Sequence, residues 1–381
     1  MSVDCCSACV LGELYDLSEE KDRECYYLDY ISRVWCTYRN HFQKIMGTSI
    51  SSDSGWGCML RCGQMIFAEG LIRHYLGRDW RRVANYSNPC LKKILGLFYD
   101  SPEFPYSIHN IALKGGELGT TVGNWVGPSL VCQAIRLITE SLSGVNPSVN
   151  VHVAMDGLVC KRTLRNKIGK LHRSRVYVGA VKSCVESSQS RTSCFLLRLL
   201  GGRSGKRTES ISLLKTTLEA ISFPERGVGL ILFVPLRLGV SRIEDAYIEQ
   251  LKKVFKLSSF LGFVGGKPRS ALYFLGFEGN LWVCLDPHKT QTLAEISEAG
   301  ELDTCSYSCR RLSRSKLRGL SPSISLGFYF LDAAELERFF ANIQELFKIS
   351  GPPLFSLVEG DSRSGCDSLE DNSVVEDFIV V

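Results

Sequence analysis

The chain has 381 residues, 45% of them hydrophobic and 22% charged, which is enough apolar material for a large core or two lobes of a soluble globular protein. A net charge of +5, with no aromatic-interleaved basic face, excludes a nucleic-acid binder on electrostatic grounds. The 16 cysteines are scattered, Cys6 and Cys9 lack a second pair, and the start M-S-V-D-C-C lacks a signal peptide, so a cytoplasmic protein with reduced thiols and neither metal nor cofactor is expected.

Residues 1–9 read as a tail. From Tyr26 to Phe42 the apolar positions Tyr27, Ile31, Val34, Trp35 and Tyr38 recur at helical spacing, which makes Tyr38 a core aromatic. Small residues and two glycines in S-S-D-S-G-W-G-C then lead to Cys58, and a run that is apolar on most sides continues to Leu76, the pattern of a central buried helix. A thiol in the first turn faces unpaired N–H groups and the positive end of the helix dipole, which favours thiolate. The alternative is a buried apolar cysteine. Cys62 lies one turn further on, a candidate for redox exchange with Cys58 or a packing residue.

A short helix is expected from Leu91 to Tyr99, then an inserted small subdomain over residues 101–183. Its glycine-rich stretch Lys114 to Gly127 holds Trp125; Ser129 to Ser141 reads as a helix, Val151 to Met155 as a strand, and Lys161 to Arg175 as a basic, solvated helix. Residues 184–207 match no regular pattern and read as a flexible insertion. Leu230 to Val234 reads as a buried strand, and Ser241 with Glu244 as the capping box of the next helix. Two strands, Ser270 to Phe277 and Leu281 to Leu285, follow the glycine-bearing loop Gly265-Gly266-Lys267-Pro268. Asp286 and His288 end the second strand, two residues apart and so on one face, with Pro287 stiffening the pair. A carboxylate there selects the imidazole tautomer, although an isolated D-P-H is also a common turn. His74 sits at the far end of the Cys58 helix and cannot be its base. Asp332 and Glu335 cap a final amphipathic helix, and residues 351–381 form an acidic, serine-rich tail expected to be disordered.

The segments G-W-G-C-M-L-R-C-G-Q-M, G-G-K-P-R-S-A-L-Y-F-L-G and L-D-P-H-K-T-Q, with W-C-T-Y-R, Y-S-I-H-N-I-A, G-N-W-V-G-P and L-S-P-S-I-S-L-G-F, resemble the autophagins, cysteine proteases of a ubiquitin-like autophagy modifier. The resemblance runs from about Gly12 to Phe347. It implies an α+β, papain-like cysteine protease fold with an inserted small subdomain, the catalytic core being residues 10–100 and 208–350. It implies Cys58 as nucleophile, His288 as base, Asp286 as its orienting carboxylate and Tyr38 as an oxyanion-hole donor. It further implies that Trp125 clamps the substrate's C-terminal tail, and that Gly265, Gly266, Lys267 and Pro268 belong to a loop that covers the site and lifts on binding. Lys289 stands where the family often has Thr. Phe378 and Val381, behind Glu376 and Asp377, fit an aromatic-x-x-aliphatic peptide that adds to a sheet edge of the modifier. The implied reaction is cleavage after a C-terminal glycine of the modifier, both from its precursor and from phosphatidylethanolamine, by a monomer that meets membranes only through the lipidated substrate. A modifier-binding adaptor without catalysis and a protease for another ubiquitin-like protein are the alternatives.

Overall fold

Apolar runs of period two build one large sheet, and amphipathic helices cover both its faces. The computed structural model describes residues 7–82, 88–142, 148–169, 223–224, 226–296, 302–316, 318–349 and 351–360. In chain order the strands and helices are β1 (Ser7–Val10), β2 (Glu13–Asp16), α1 (Glu20–Ile31), β3 (Tyr38–Asn40), α2 (Cys58–Tyr75), α3 (Pro89–Gly96), α4 (Ile108–Glu117), α5 (Pro128–Ser141), β4 (Val149–Val153), β5 (Leu158–Cys160) and α6 (Lys161–Lys167). There follow β6 (Gly229–Arg237), α7 (Asp245–Phe255), β7 (Phe260–Lys267), β8 (Ser270–Glu278), β9 (Leu281–Leu285), β10 (Thr290–Thr292), β11 (Ser313–Lys316), β12 (Ser323–Phe330), α8 (Ala333–Ile349) and β13 (Ser356–Val358).

The main sheet runs β11-β9-β8-β7-β12-β6-β4, with β1 attached to β8 and β2 to β1. Its pairs are antiparallel except β4 with β6. Alternation along β6 sorts side chains between the two faces: Ile231 and Phe233 join the core under α2 and α5, while Leu230, Leu232 and Val234 join the core that α7 and α8 cover. This α+β arrangement agrees with the papain-like expectation. Helix α2 is buried along its whole length, Arg61, Glu69, Arg73 and His74 included. Its charges are paired: Glu69 accepts from Arg33 at 2.9 Å and Arg73 at 3.2 Å, as buried ions must. Among the described residues no helix is long and apolar enough to cross a membrane.

Several boundaries depart from the sequence expectations. Helical spacing from Tyr26 to Phe42 is realised only to Ile31; Tyr38 lies in a strand instead, because its N–H bonds the Pro287 carbonyl at 3.0 Å and β3 pairs with β10. Residues 1–9 are not wholly a tail, since Ser7 to Cys9 pair with both β2 and β8. The described residues of the expected 101–183 subdomain join the core: β4 extends the main sheet, and α5 packs on α2, where Val131 and Ile135 lie against Gly63. The glycine-rich stretch begins inside a helix, α4, whose N-cap Ser107 accepts from Asn110 N. The helix expected from Ser241 begins at Asp245, with Glu244 as N-cap. Residues 351–360 of the expected tail are structured, because Leu354 and Phe355 are buried and β13 pairs with β5. The final cap is as expected: Asp332 accepts from Glu335 N at 2.9 Å, and Glu335 reaches back to Leu331 N at 2.7 Å. Residues 184–207, Phe378 and Val381 lie outside the described residues.

Candidate active site

Cys58 is the first residue of α2, and Gly57 is its N-cap without a side-chain capping bond, so the sulfur stands at an uncapped helix N-terminus. Gly57 is required there: a Cβ would collide with the Asp53 carboxylate. Strand β9 ends at Leu285, and the next residues carry the other reactive groups. Asp286 Oδ1 accepts from His288 N at 2.9 Å and from His288 Nδ1 at 2.5 Å, which leaves Nε2 facing outward. That Nε2 lies 3.1 Å from the Arg269 carbonyl oxygen and within hydrogen-bonding reach of the Cys58 sulfur. The three groups, distant in sequence, meet. The imidazole is partly exposed, but Cys58 itself is fully buried.

The electrostatics define the state of the pair. Hydrogen bonds to Asp286 and then to Cys58 push the His288 imidazole up to about 10, against the opposing effect of burial. Burial works to raise the Cys58 thiol, but hydrogen bonds from His288, the Ala271 backbone and Tyr38 hold it below its ordinary value. Both shifts favour the thiolate–imidazolium pair over the neutral one. The pair is lost at high pH as His288 loses its proton near 10, and at low pH as the thiolate is protonated. Turnover is expected to hold across neutral pH and to fall as pH passes about 10. Iodoacetamide alkylation of Cys58 is expected to persist at pH values where an ordinary thiol is protonated. In His288→Asn the alkylation profile should move up by at least one pH unit, roughly the shift expected when a charged hydrogen-bond partner is removed.

Tyr38 stands beside this pair. Its ring meets the His288 ring edge-on, with centroids 5.5 Å apart, and its buried hydroxyl has no well-aligned partner although it lies close to the Cys58 sulfur. An O–H donor at that place, beside the sulfur, can turn to a developing oxyanion. Trp125 is partly buried on the α2 side of the sheet, with its indole N–H buried and unpartnered. Gly265, Gly266 and Lys267 are not in a loop: β7 runs to Lys267, and Gly266 pairs with Ala271, so only Pro268 and Arg269 turn the hairpin. Gly266 has φ +144° and a Cβ would clash with the Ser270 carbonyl, which is why glycine stands at the root of this turn. Cys62 is completely buried, and burial pushes its thiol well up, which suits packing better than exchange.

Sequence reasoning missed the frame behind these groups. Asp53 Oδ1 accepts from Arg39 N at 2.7 Å and Arg61 Nη2 at 3.0 Å, and Oδ2 accepts from Arg61 Nε at 2.8 Å. Arg61 also binds Asp100 at 2.8 Å. Trp35 Nε1 donates to the Asp286 carbonyl at 2.7 Å. The available signal was Arg61 itself, an arginine in the first turns of a largely apolar helix, which demands a buried partner. Among the described residues no cluster of His, Cys, Asp or Glu could hold a metal ion.

Comparison with known proteins gives one consistent result. Residues 24–342 match the family model described as the peptidase C54 catalytic domain. The chain is 37% identical over 360 residues to cysteine protease ATG4B of Gallus gallus, covering 92% of this chain and 83% of that protein. It is 35% identical over 353 residues to cysteine protease ATG4A of Gallus gallus, covering 92% and 85%. The human cysteine protease ATG4A is 32% identical over 353 residues, covering 92% and 81%.

Proposed function

The chain belongs to the peptidase C54 family, the autophagin cysteine proteases, and on that premise we propose that Cys58, His288 and Asp286 cleave a ubiquitin-like autophagy modifier after its C-terminal glycine. The observation that carries this reading is the buried Cys58 sulfur at the head of α2, beside an imidazole that Asp286 grips at 2.5 Å. The thiolate attacks the glycine carbonyl, the Tyr38 hydroxyl and the Cys58 N–H receive the oxyanion, and His288 Nε2 gives its proton to the leaving amine. Water then attacks the thioester with His288 as base, which restores the thiol and frees the modifier's carboxylate.

As described, the site is closed. The Arg269 carbonyl occupies one approach to His288 Nε2, and the hairpin turn at Pro268 and Arg269 lies over a sulfur with no exposed surface. Substrate entry requires this turn to lift, hinging at Gly265 and Gly266, and Trp125 and Lys267 then line the channel. A narrow covered channel passes only a residue without a side chain, which accounts for glycine at the scissile bond. The leaving group is either a peptide extension or the amine of phosphatidylethanolamine, and the enzyme meets membranes only through the second. Phe378 and Val381 provide a second hold on the modifier.

Incubating the protein with a panel of C-terminally extended ubiquitin-like proteins tests this reading. Cleavage of the autophagy modifier alone, directly after its glycine, is expected. Cleavage of ubiquitin with the autophagy modifier left intact would reject the substrate assignment, and tight binding without turnover would reject the protease.

A further inference from the structure

Three exposed cations whose charges the mechanism above does not use stand in the segments around the closed site. Lys267 and Arg269 flank the turn between β7 and β8, and Lys289 follows His288 directly; all three are exposed. Among the described residues no carboxylate pairs with any of them. The exposed carboxylate at hand, Asp286, is committed to His288. Lys289 is held in place without being neutralised: its ammonium lies 5.8 Å from the centre of the Trp35 ring, and that indole donates to the Asp286 carbonyl. Arg269 approaches from the other side, its carbonyl 3.1 Å from His288 Nε2. The imidazole is thus followed in the chain by an exposed lysine and touched by the backbone of a turn that carries an exposed arginine.

We propose that Lys289 and Arg269, with Lys267 beside them, form an anion subsite for the phosphodiester of an ethanolamine-phospholipid leaving group. The inference rests on the reading of the site as one that releases the modifier from such a lipid, and names the groups that recognise the headgroup. In that step a bond forms between Cys58 Sγ and the glycine carbonyl carbon. The carbon–nitrogen amide bond breaks, and the proton on His288 Nε2 goes to the departing nitrogen, so the lipid leaves as its amine. His288 must touch that nitrogen. The phosphate lies only two carbons and an oxygen beyond it, which brings its charge among the groups flanking His288. A neutral peptide extension carries no anion at that distance. Lys289 follows the reactive imidazole in the chain and the Arg269 backbone touches it, so an attraction to these side chains acts close to the contact that positions the amine for protonation.

The test compares kcat/KM for four soluble substrates made on the same modifier: amides with glycerophosphoethanolamine, with ethanolamine, with a neutral peptide and with an acidic peptide. Vesicles carrying the lipid conjugate form a fifth arm. Lys289→Thr is the first variant and Arg269→Asn the second, asparagine being chosen because Arg269 has φ +62°, a conformation that asparagine tolerates. Lys289→Thr is expected to lose roughly tenfold on the glycerophosphoethanolamine amide, the scale of a charge-assisted contact, and to keep its rate on the ethanolamine and neutral-peptide substrates, while Arg269→Asn, which also alters the covering turn, is expected to lose roughly tenfold in the ratio of the first substrate to the ethanolamine amide. An equal loss on all substrates would overturn the proposal in favour of a positioning effect on His288. A loss on the acidic peptide as large as on the phosphodiester would assign the patch to peptide charge. A loss confined to vesicles would assign it to the membrane surface. If the unmodified protein cleaves both peptides but neither phosphodiester substrate, the lipid-release reading itself fails and this subsite with it.

Discussion

Replacing Cys58 with Ala is expected to lower cleavage by at least about 10⁴-fold while leaving the modifier's affinity within a few-fold of its original value, the usual result of removing a nucleophile from a unit that acts together. The reasoning is local. The sulfur is the one group at the head of α2 that both carries a lowered proton affinity and touches His288, and an alanine there removes the nucleophile without disturbing the N-cap at Gly57. Because Cys58 is fully buried, the exchange removes one sulfur from a packed place and leaves a small void, costing on the order of 1 kcal/mol of stability. The variant should therefore fold, bind and fail to turn over. Single-turnover cleavage of a C-terminally extended modifier, run beside calorimetric binding, separates these effects. Retained turnover would move the nucleophile away from Cys58.

The parts of this site that could be read from the chain are those with a strong local signature. Two glycines before a thiol and a long apolar helix after it announced the head of α2, and D-P-H at the end of an apolar strand announced the orienting pair. Helix α2, the β8–β9 hairpin and the Asp332 cap were legible for the same reason: each is decided by residues within a few positions of one another. What was not legible is what long-range partners decide. Tyr38 carries helical spacing, yet its backbone is claimed by Pro287 and its strand by Thr290 to Thr292, some 250 positions away. Ser7 to Cys9 look like a terminus but complete an edge that β8 leaves open beyond its irregularity near Gly276. Leu354 and Phe355 sit in a segment whose composition suggests disorder, and they are buried because the α8 face and β5 receive them. The loop at Gly265 is shorter than its glycines imply, since both glycines are used for close strand packing against Ile324 and Ala271 rather than for a wide turn.

Arg61→Met is expected to destabilise the protein by about 3–5 kcal/mol, the range for removing one partner of a buried ion pair. Arg61 is almost wholly buried and joins two equally buried carboxylates, Asp53 and Asp100, at 2.8 Å each. Burial raises the proton affinity of Asp53 and works to lower that of the guanidinium, which Asp100 and Asp53 nevertheless hold well above its ordinary value. Methionine fills much of the space but leaves both carboxylates without their cation, so the cost is that of two stranded charges rather than of a lost contact. The damage extends to the site, because Asp53 is also the acceptor for Arg39 N, next to Tyr38, and its backbone carbonyl receives the N–H groups of Trp56 and Gly57, next to Cys58. One carboxylate thus holds the oxyanion tyrosine and the nucleophile in register. Urea unfolding followed by circular dichroism gives the stability change. The triple variant Asp53→Asn, Arg61→Met, Asp100→Asn removes all three charges together and should recover at least half of the lost stability. Its turnover should stay low, because the amide can still accept from Arg39 N but the guanidinium that tied position 53 to α2 is gone. If the triple variant instead regained full turnover, the register of Tyr38 against Cys58 would not depend on Asp53.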